Sequence, residues 1–329
     1  MRMIALGQAW QDQGGEVIFI STEITKDLGE KIKKEHFQLM RTHGHPGTLQ
    51  DLEETCAVVS RLGGQRQTIA VDGYNFNADF QLGLKKAGCR LLFMDDYGQS
   101  EAYHADWILN QNNSALDDLY VKRGANTRPL LGTQFALLRR EFHRHVREPK
   151  IIPKIASKLL LTLGGTDPGN VTGKVIEALM GLPLELKVIV GGSNPNLSDL
   201  RNTVKISASK TTSIDLIVNP TDIPNLMKWA DLAVAAGGST AWELLFMGVP
   251  SLFFILANNQ HAIGMGLDKK ELGICLTGFE KTPDYARLTE EVSKLSIDFK
   301  RREKLSMNCR SAVDGWGSRR VVEILKEKS

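Results

Sequence analysis

The 329-residue sequence has only four cysteines, Cys56, Cys89, Cys275 and Cys309, far apart and without a CxxC pair. That spacing excludes a disulfide frame and a cysteine zinc site, and it fits reduced, buried thiols in a cytoplasmic protein. No apolar run nears the ~18 residues that cross a bilayer, and no charged-then-apolar leader opens the chain, so no membrane partner is expected. Net charge is +3, with no long Lys/Arg run and no basic patch interleaved with aromatics, so no nucleic-acid partner is expected either. No GxGxxG follows a strand pattern, which argues against a nicotinamide or flavin dehydrogenase. Gly173-Lys174 lacks both the upstream glycine and the following Ser/Thr of a P-loop, and neither GxSxG nor HExxH occurs. His43-Gly-His45 sits in a Gly/Pro-rich loop without a carboxylate companion, and neither a metal nor a cofactor is expected.

What is present is an ordinary globular composition, 42% hydrophobic and 24% charged, long enough for two domains. Short β-branched runs alternate with helical patterns, the signature of parallel α/β sheets. The first half predicts strands over Val17–Ser21, Thr68–Val71, Arg90–Met94 and Trp107–Asn110. Helices are predicted over Met1–Gln13, Lys26–Glu35, Leu49–Leu62 and Asn77–Ala87. A charged stretch containing Arg139-Arg-Glu-Phe-His-Arg-His-Val-Arg147 reads as a solvated helix and linker, with His143 and His145 in water. The pattern then restarts at Lys158-Leu-Leu-Leu-Thr-Leu-Gly-Gly165. The expected division is an N-terminal domain over 1–132, a linker over 133–157 and a C-terminal domain over 158–329, whose last helix packs back on the first domain. The expected architecture is α/β and GT-B-like: two Rossmann-type halves facing a cleft, with ligands beyond the carboxyl ends of the strands.

The most informative segment is Leu232-Ala-Val-Ala-Ala-Gly-Gly-Ser-Thr-Ala-Trp-Glu243. An apolar strand runs into Gly237-Gly238, and a helix begins at once with Ser239, Thr240 and Glu243. The first N–H groups of such a helix lack acceptors and carry the positive end of the helix dipole. Two glycines let a phosphate come close to the backbone. Glu243, one turn inside, is placed to accept hydrogen bonds from ribose hydroxyls. The segment equally fits an ordinary turn in which Thr240-x-x-Glu243 forms a capping box.

Seven blocks occur in an order that is itself informative: Asp72-Gly-Tyr74, Asp95-Asp96, His104-Ala-Asp-Trp-Ile-Leu-Asn-Gln111, Gly164-Gly-Thr-Asp-Pro-Gly-Asn170, Gly237–Glu243, Asn259-Gln260 and Asp314-Gly-Trp-Gly-Ser-Arg319. This set resembles the UDP-sugar hydrolases of pseudaminic acid biosynthesis and the related spore-coat polysaccharide proteins, over nearly the whole chain. The resemblance implies metal-independent hydrolysis of a UDP-diacetamido-trideoxyhexose with inversion, releasing UDP. It implies a UDP-sugar cradle of Gly237, Gly238, Ser239, Thr240 and Glu243, a second approach at Gly164–Thr166, and ligand contacts from Asn259 and Gln260. Tyr74 would orient sugar or water, and the acidic residues would hold backbone or sugar hydroxyls. The family's general-base His, its Gly-x-Gly-His loop and its first strand would lie ahead of Met1, with Arg2 matching the motif's arginine. None of the seven His matches that base; His261 is the other His expected near the cleft. The chain as written is therefore expected to be impaired. A glycosyltransferase using the same donor cradle, or a non-enzymatic UDP-sugar-binding protein, are the alternatives. Neither the sugar nor the oligomeric state is legible in the sequence.

Overall fold

The computed structural model describes residues 1–63, 67–146, 148–165, 167–207, 211–277 and 283–327, so Arg147 and Thr166 lie outside the described residues. The chain forms two compact units, Met1–Arg140 with Trp316–Ser329, and Glu141–Gly315.

The first unit runs α1 (Arg2–Gln11), β1 (Ile18–Ser21), α2 (Lys26–Lys34), β2 (Gln38–Arg41), α3 (Leu49–Arg61), β3 (Thr68–Val71), α4 (Ala78–Lys86), β4 (Arg90–Met94), β5 (Trp107–Asn110) and β6 (Arg128–Leu131). Local chemistry starts its helices: Thr25, Thr48 and Asn77 accept from the N–H three residues on and cap α2, α3 and α4. Each cap contributes about 1 kcal/mol. Among the described residues, the strand pairing is parallel and falls into two pieces, β1-β2 and β3-β4-β5-β6. Parallel sheets are covered on both faces, and β4 and β5 accordingly read as continuous apolar runs, Leu91–Met94 and Trp107–Leu109, all buried.

The second unit runs β7 (Lys158–Thr162), α5 (Val171–Ala178), β8 (Glu185–Val190), α6 (Leu197–Ser207), β9 (Ser213–Val218), α7 (Ile223–Trp229), β10 (Leu232–Ala236), α8 (Thr240–Met247), β11 (Ser251–Phe254), α9 (His261–Lys269), β12 (Ile274–Thr277), α10 (Tyr285–Ile297) and α11 (Phe299–Ala312). Its six strands form one parallel sheet in the order β12-β11-β10-β7-β8-β9. Numbered within the unit, that is 6-5-4-1-2-3, the doubly wound order in which the first strand is central. One apolar cluster runs through it, from Leu186 and Val188 past Leu159, Leu161 and Val234 to Phe254 and Leu276. The last helix, α12 (Gly317–Lys326), belongs to the first unit, where Val321, Val322 and Leu325 pack with Leu6, Ala9, Met94 and Trp107.

The structure departs from the sequence reading in several elements. Strands β2, β6 and β12 and helices α6 and α9 carry patterns too short or too mixed to stand out. The β2 residues Gln38 and Arg41 are exposed, so the strand has no apolar run to betray it. The expected solvated helix near Arg139 is instead a 3₁₀ turn over Arg140–His145. Its Phe142 is fully buried, and His145 is buried with Nδ1 2.8 Å from Glu148 Oε2, because this turn packs on its unit. Among the described residues, no helix is long and apolar enough to cross a membrane.

Candidate functional site

In the second unit β10 stops at Gly237-Gly238. The Gly237 N–H donates to Phe254 O at 3.0 Å and the Gly238 N–H to Ala236 O at 2.8 Å, closing the turn. Helix α8 starts at Thr240; its N-cap Ser239 has helical backbone angles and makes no side-chain cap. Ala241 and Trp242 N–H groups turn back to Gly238 O and Ser239 O. The N–H groups of Ser239 and Thr240 have no acceptor among the described residues and lie at the positive end of the helix. The Thr240-x-x-Glu243 capping box is not how this helix begins, since Thr240 is already helical. Glu243 lies one turn in, half-buried.

Neither glycine is demanded by the fold. Both avoid the left-handed region. A Cβ at Gly237 would sit 3.5 Å from Gln260 O, and one at Gly238 4.0 Å from Gln260 Nε2, both ordinary contacts. Gly248, at the other end of α8, is the contrast: φ is +66° and a Cβ would meet Ser306 Oγ and Arg310 Cδ at 2.9 Å. A Cβ at Gly238 would thus have room, with Gln260 Nε2 at its edge, whereas one at Gly237 would lie against Gln260 and Phe254.

The structure brings Gln260 to this turn. It ends a 3₁₀ turn over Asn258–Gln260 that follows β11, and its Oε1 accepts from the Leu256 N–H at 2.9 Å. That bond turns the amide nitrogen, a donor, toward Gly238. Asn259 is half-buried in the same turn, and His261 opens α9 exposed to solvent.

The turn after β7 behaves differently. Gly164 needs glycine, with φ +101°, and a Cβ on Gly191 would lie 2.5 Å from Gly165 O, so the turns after β7 and β8 are pressed together. Asp167 Oδ1 and Oδ2 accept from Val171 N–H at 3.0 Å and Thr172 N–H at 2.8 Å, and Asn170 Oδ1 from Gly173 N–H at 3.3 Å. The start of α5 is therefore closed by its own side chains, while the start of α8 is open.

In the first unit the carboxyl ends of β3, β4 and β5 carry a charged cluster. Arg2, at the start of α1, donates to Asp72 Oδ1 from Nη2 and to Asp96 Oδ1 from Nη1, both at 2.7 Å. Tyr74 Oη donates to Asp96 Oδ2 at 2.7 Å, and Asn112 Nδ2 to Asp96 Oδ1 at 3.1 Å. Burial raises the Asp96 carboxyl, but the Arg2 charge and these hydrogen bonds outweigh it and hold it below the ordinary aspartate value. Burial likewise opposes the Arg2 charge, and the two carboxylates overcome it, keeping the guanidinium protonated. Tyr74 is 51% exposed and stacks on Tyr97, itself 46% exposed, with centroids 6.0 Å apart. Asp95 is a scaffold residue: fully buried, it accepts from the N–H groups of Tyr97, Gly98 and Gln99 and from the hydroxyls of Tyr103 and Tyr120. The Arg2–Asp72–Asp96 triad was only partly visible in the sequence, because nothing local pairs residues so far apart.

No known protein-family profile matches the chain. It is 27% identical to the spore coat polysaccharide biosynthesis protein SpsG of Bacillus subtilis over 241 residues, 72% of this chain and 69% of that protein. An uncharacterized protein of Methanocaldococcus jannaschii is 25% identical over 241 residues, 71% of this chain; the match spans about half (48%) of that relative. A UDP-N-acetylglucosamine–N-acetylmuramyl-(pentapeptide) pyrophosphoryl-undecaprenol N-acetylglucosamine transferase of Acetivibrio thermocellus is 29% identical over 128 residues, 37% of this chain and 34% of that one. Among solved structures, Acinetobacter baumannii MurG superposes with a TM-score of 0.68 at 12% identity, covering 99% of this chain and 95% of that one. The UDP co-structure of S. aureus MnaA gives 0.67 at 13% identity, covering 99% and 92%. The fold is thus that of the GT-B class, two Rossmann-type α/β units. Within that class the chain is homologous to SpsG.

Proposed function

We propose that the chain is a glycosyl-transferring enzyme with a UDP-sugar donor, acting in polysaccharide biosynthesis. The observation that carries the reading is the open start of α8: two glycines the fold does not require, two N–H groups without acceptors, and the Gln260 amide beside them. The diphosphate sits on the N–H groups of Ser239 and Thr240, above Gly237 and Gly238, where it accepts charge-assisted hydrogen bonds. Glu243 accepts from the ribose hydroxyls, and Asn259 and Gln260 hold phosphate or sugar. Gly164 and Gly165 take a lesser part, as a smooth wall, because the helix behind them is already capped. In the transfer step an acceptor hydroxyl oxygen bonds to the anomeric carbon, the bond from that carbon to the β-phosphate oxygen breaks, and UDP leaves with the electron pair. The acceptor proton passes to a base. The helix N-terminus stabilises the charge that grows on the leaving phosphate.

The comparisons support transfer over the hydrolysis implied by the motif order, since a matched relative whose name states a reaction is a transferase. Hydrolysis of a UDP-diacetamido-trideoxyhexose, with water replacing the acceptor and Tyr74 orienting sugar or water, is the second reading, supported by the ordered blocks from Asp72 to Arg319. UDP release from a panel of UDP-sugars, measured with and without sugar acceptors, separates them. Release that requires an acceptor supports transfer. Equal release in water alone overturns transfer in favour of hydrolysis, and failure to bind UDP at all overturns both.

A further inference from the structure

The segment Pro149-Lys-Ile-Ile-Pro-Lys-Ile-Ala-Ser-Lys158 leads into β7 with three lysines, three isoleucines and no carboxylate. It is neither helix nor strand before Lys158, yet it is held at every turn. Lys150 Nζ donates to Lys228 O at 2.8 Å and to Ala230 O, at the end of α7. The fully buried Arg302 donates to Lys154 O at 3.0 Å and to Ser296 O at 2.9 Å. The Ala156 N–H donates to Ser296 O at 2.8 Å, and Asp231 Oδ2 accepts from the N–H groups of Ser157 and Lys158 at 3.0 Å. These bonds tie the segment to the amino ends of β7 and β10 and to the last turns of α7 and α10.

A backbone fixed in this way holds its side chains in fixed directions, and here it holds isoleucines in water. Ile151 is 84% exposed and Ile155 68%, and Ile297, at the end of α10, is 74% exposed. The Ala156–Ser296 bond sets Ile155 and Ile297 on either side of one contact. An exposed apolar side chain standing alone is ordinary, but three grouped on one pinned edge mark an interaction surface. Cations surround them. Lys154 and Lys300 are exposed, and Lys158 and Lys187 lie over the ring of Trp229, 5.9 and 4.3 Å from its centroid. Of the carboxylates nearby, Asp231 and Asp298 accept backbone N–H groups, Glu148 is paired with Lys228, and Glu185 is exposed at the start of β8. The lysines outnumber them, so the face is basic.

We propose that this amino-end face of the second unit docks on an anionic lipid surface, with Ile151, Ile155 and Ile297 in the boundary between headgroups and acyl chains and the lysines on the headgroup charges. Charge complementarity selects the occupant. A second copy of the chain on the same face would set lysines against lysines. Separate isoleucines among lysines suit a fluid interface, where lysine stems lie along apolar surface and their ammonium groups reach the headgroups. The lack of a long apolar helix among the described residues bears on crossing a bilayer, not on resting against one. The open start of α8 lies at the carboxyl end of β10, the opposite end of the same sheet, so the docking face does not overlap it and stands apart from the UDP reading.

Co-sedimentation with phosphatidylcholine vesicles, prepared with and without phosphatidylglycerol, tests the proposal. Binding is expected with phosphatidylglycerol alone and should weaken as salt is raised. The combined variant Ile151→Ser, Ile155→Ser and Ile297→Ser is expected to bind at least ~10-fold more weakly, because its apolar contact is gone. Lys154→Glu with Lys300→Glu should weaken binding at least ~10-fold through charge alone. Both variants alter only exposed side chains, so their melting should match that of the parent chain. No binding by the parent chain, equal binding to pure phosphatidylcholine, or unchanged binding by either variant overturns the proposal. A dimer in sedimentation velocity that the serine variant abolishes assigns the face to a second copy and overturns it. Retention on polyglutamate without vesicle binding assigns it to an acidic protein, which also overturns it.

Discussion

Replacing Gly238 by alanine separates a ligand cradle from a structural turn. The added Cβ would meet nothing closer than Gln260 Nε2 at 4.0 Å, and the backbone is outside the left-handed region. The folded state therefore absorbs the methyl, and the reduced freedom of the unfolded chain stabilises the variant by about 0.4–1 kcal/mol. The same methyl projects into the space that a phosphate needs to reach the N–H groups of Ser239 and Thr240. Loss of one hydrogen bond to a charged group costs about 1.5–3 kcal/mol, so UDP affinity falls roughly 10- to 100-fold while Tm holds or rises. Calorimetric titration with UDP, run beside a thermal melt, checks both halves. Unchanged affinity would refute the cradle. A large drop in Tm would refute the turn geometry from which the reasoning starts.

Three further outcomes are expected. Glu243→Ala weakens UDP by about tenfold, one lost charge-assisted contact, and spares a ligand without the ribose such as inorganic pyrophosphate; equal weakening of both would remove the ribose role. Asp167→Ala unpins two N–H groups of α5 and lowers stability by about 1–2 kcal/mol, measured by urea unfolding, with UDP affinity within about twofold; a large affinity loss would bring α5 back into the site. Arg2→Ala strips two largely buried carboxylates of their counter-charge and costs about 3 kcal/mol at neutral pH. The sign with pH is defined. Asp96 is held below its ordinary value, so its contribution is complete above the unfolded value of about 3.9 and drains as pH falls through the folded one. Without Arg2, burial raises that carboxyl and acid relieves the variant, so the stability gap between the two proteins narrows below about pH 4. Urea melts at pH 7 and 3.5 giving a constant gap would show that Arg2 does not set the charge of this cluster.

The parallel α/β class was legible because β4, β5, β7 and β10 are buried on both faces and write themselves as unbroken apolar runs. Helix starts were legible where the cap is local, as at Thr25, Thr48 and Asn77. The glycine pair at 237 and 238 was equally visible, because strand, turn and helix are adjacent in sequence. Its two readings could not be separated there, since a capping box and an open helix start share the same residues. The decision needed the position of Ser239 in the helix and the side of the turn occupied by Gln260, 21 residues beyond it and brought in by the pairing of β10 with β11. The turn after β7 shows the reverse: its Gly164-Gly165 pair resembles the other, yet Asp167 and Asn170 close the helix behind it. Sequence by itself determined which segments are buried strands and where glycine interrupts them, because burial and turn chemistry act over a few residues. Only the tertiary structure decided which helix start stays open and which carboxylates Arg2 joins, because each depends on residues that packing alone brings together.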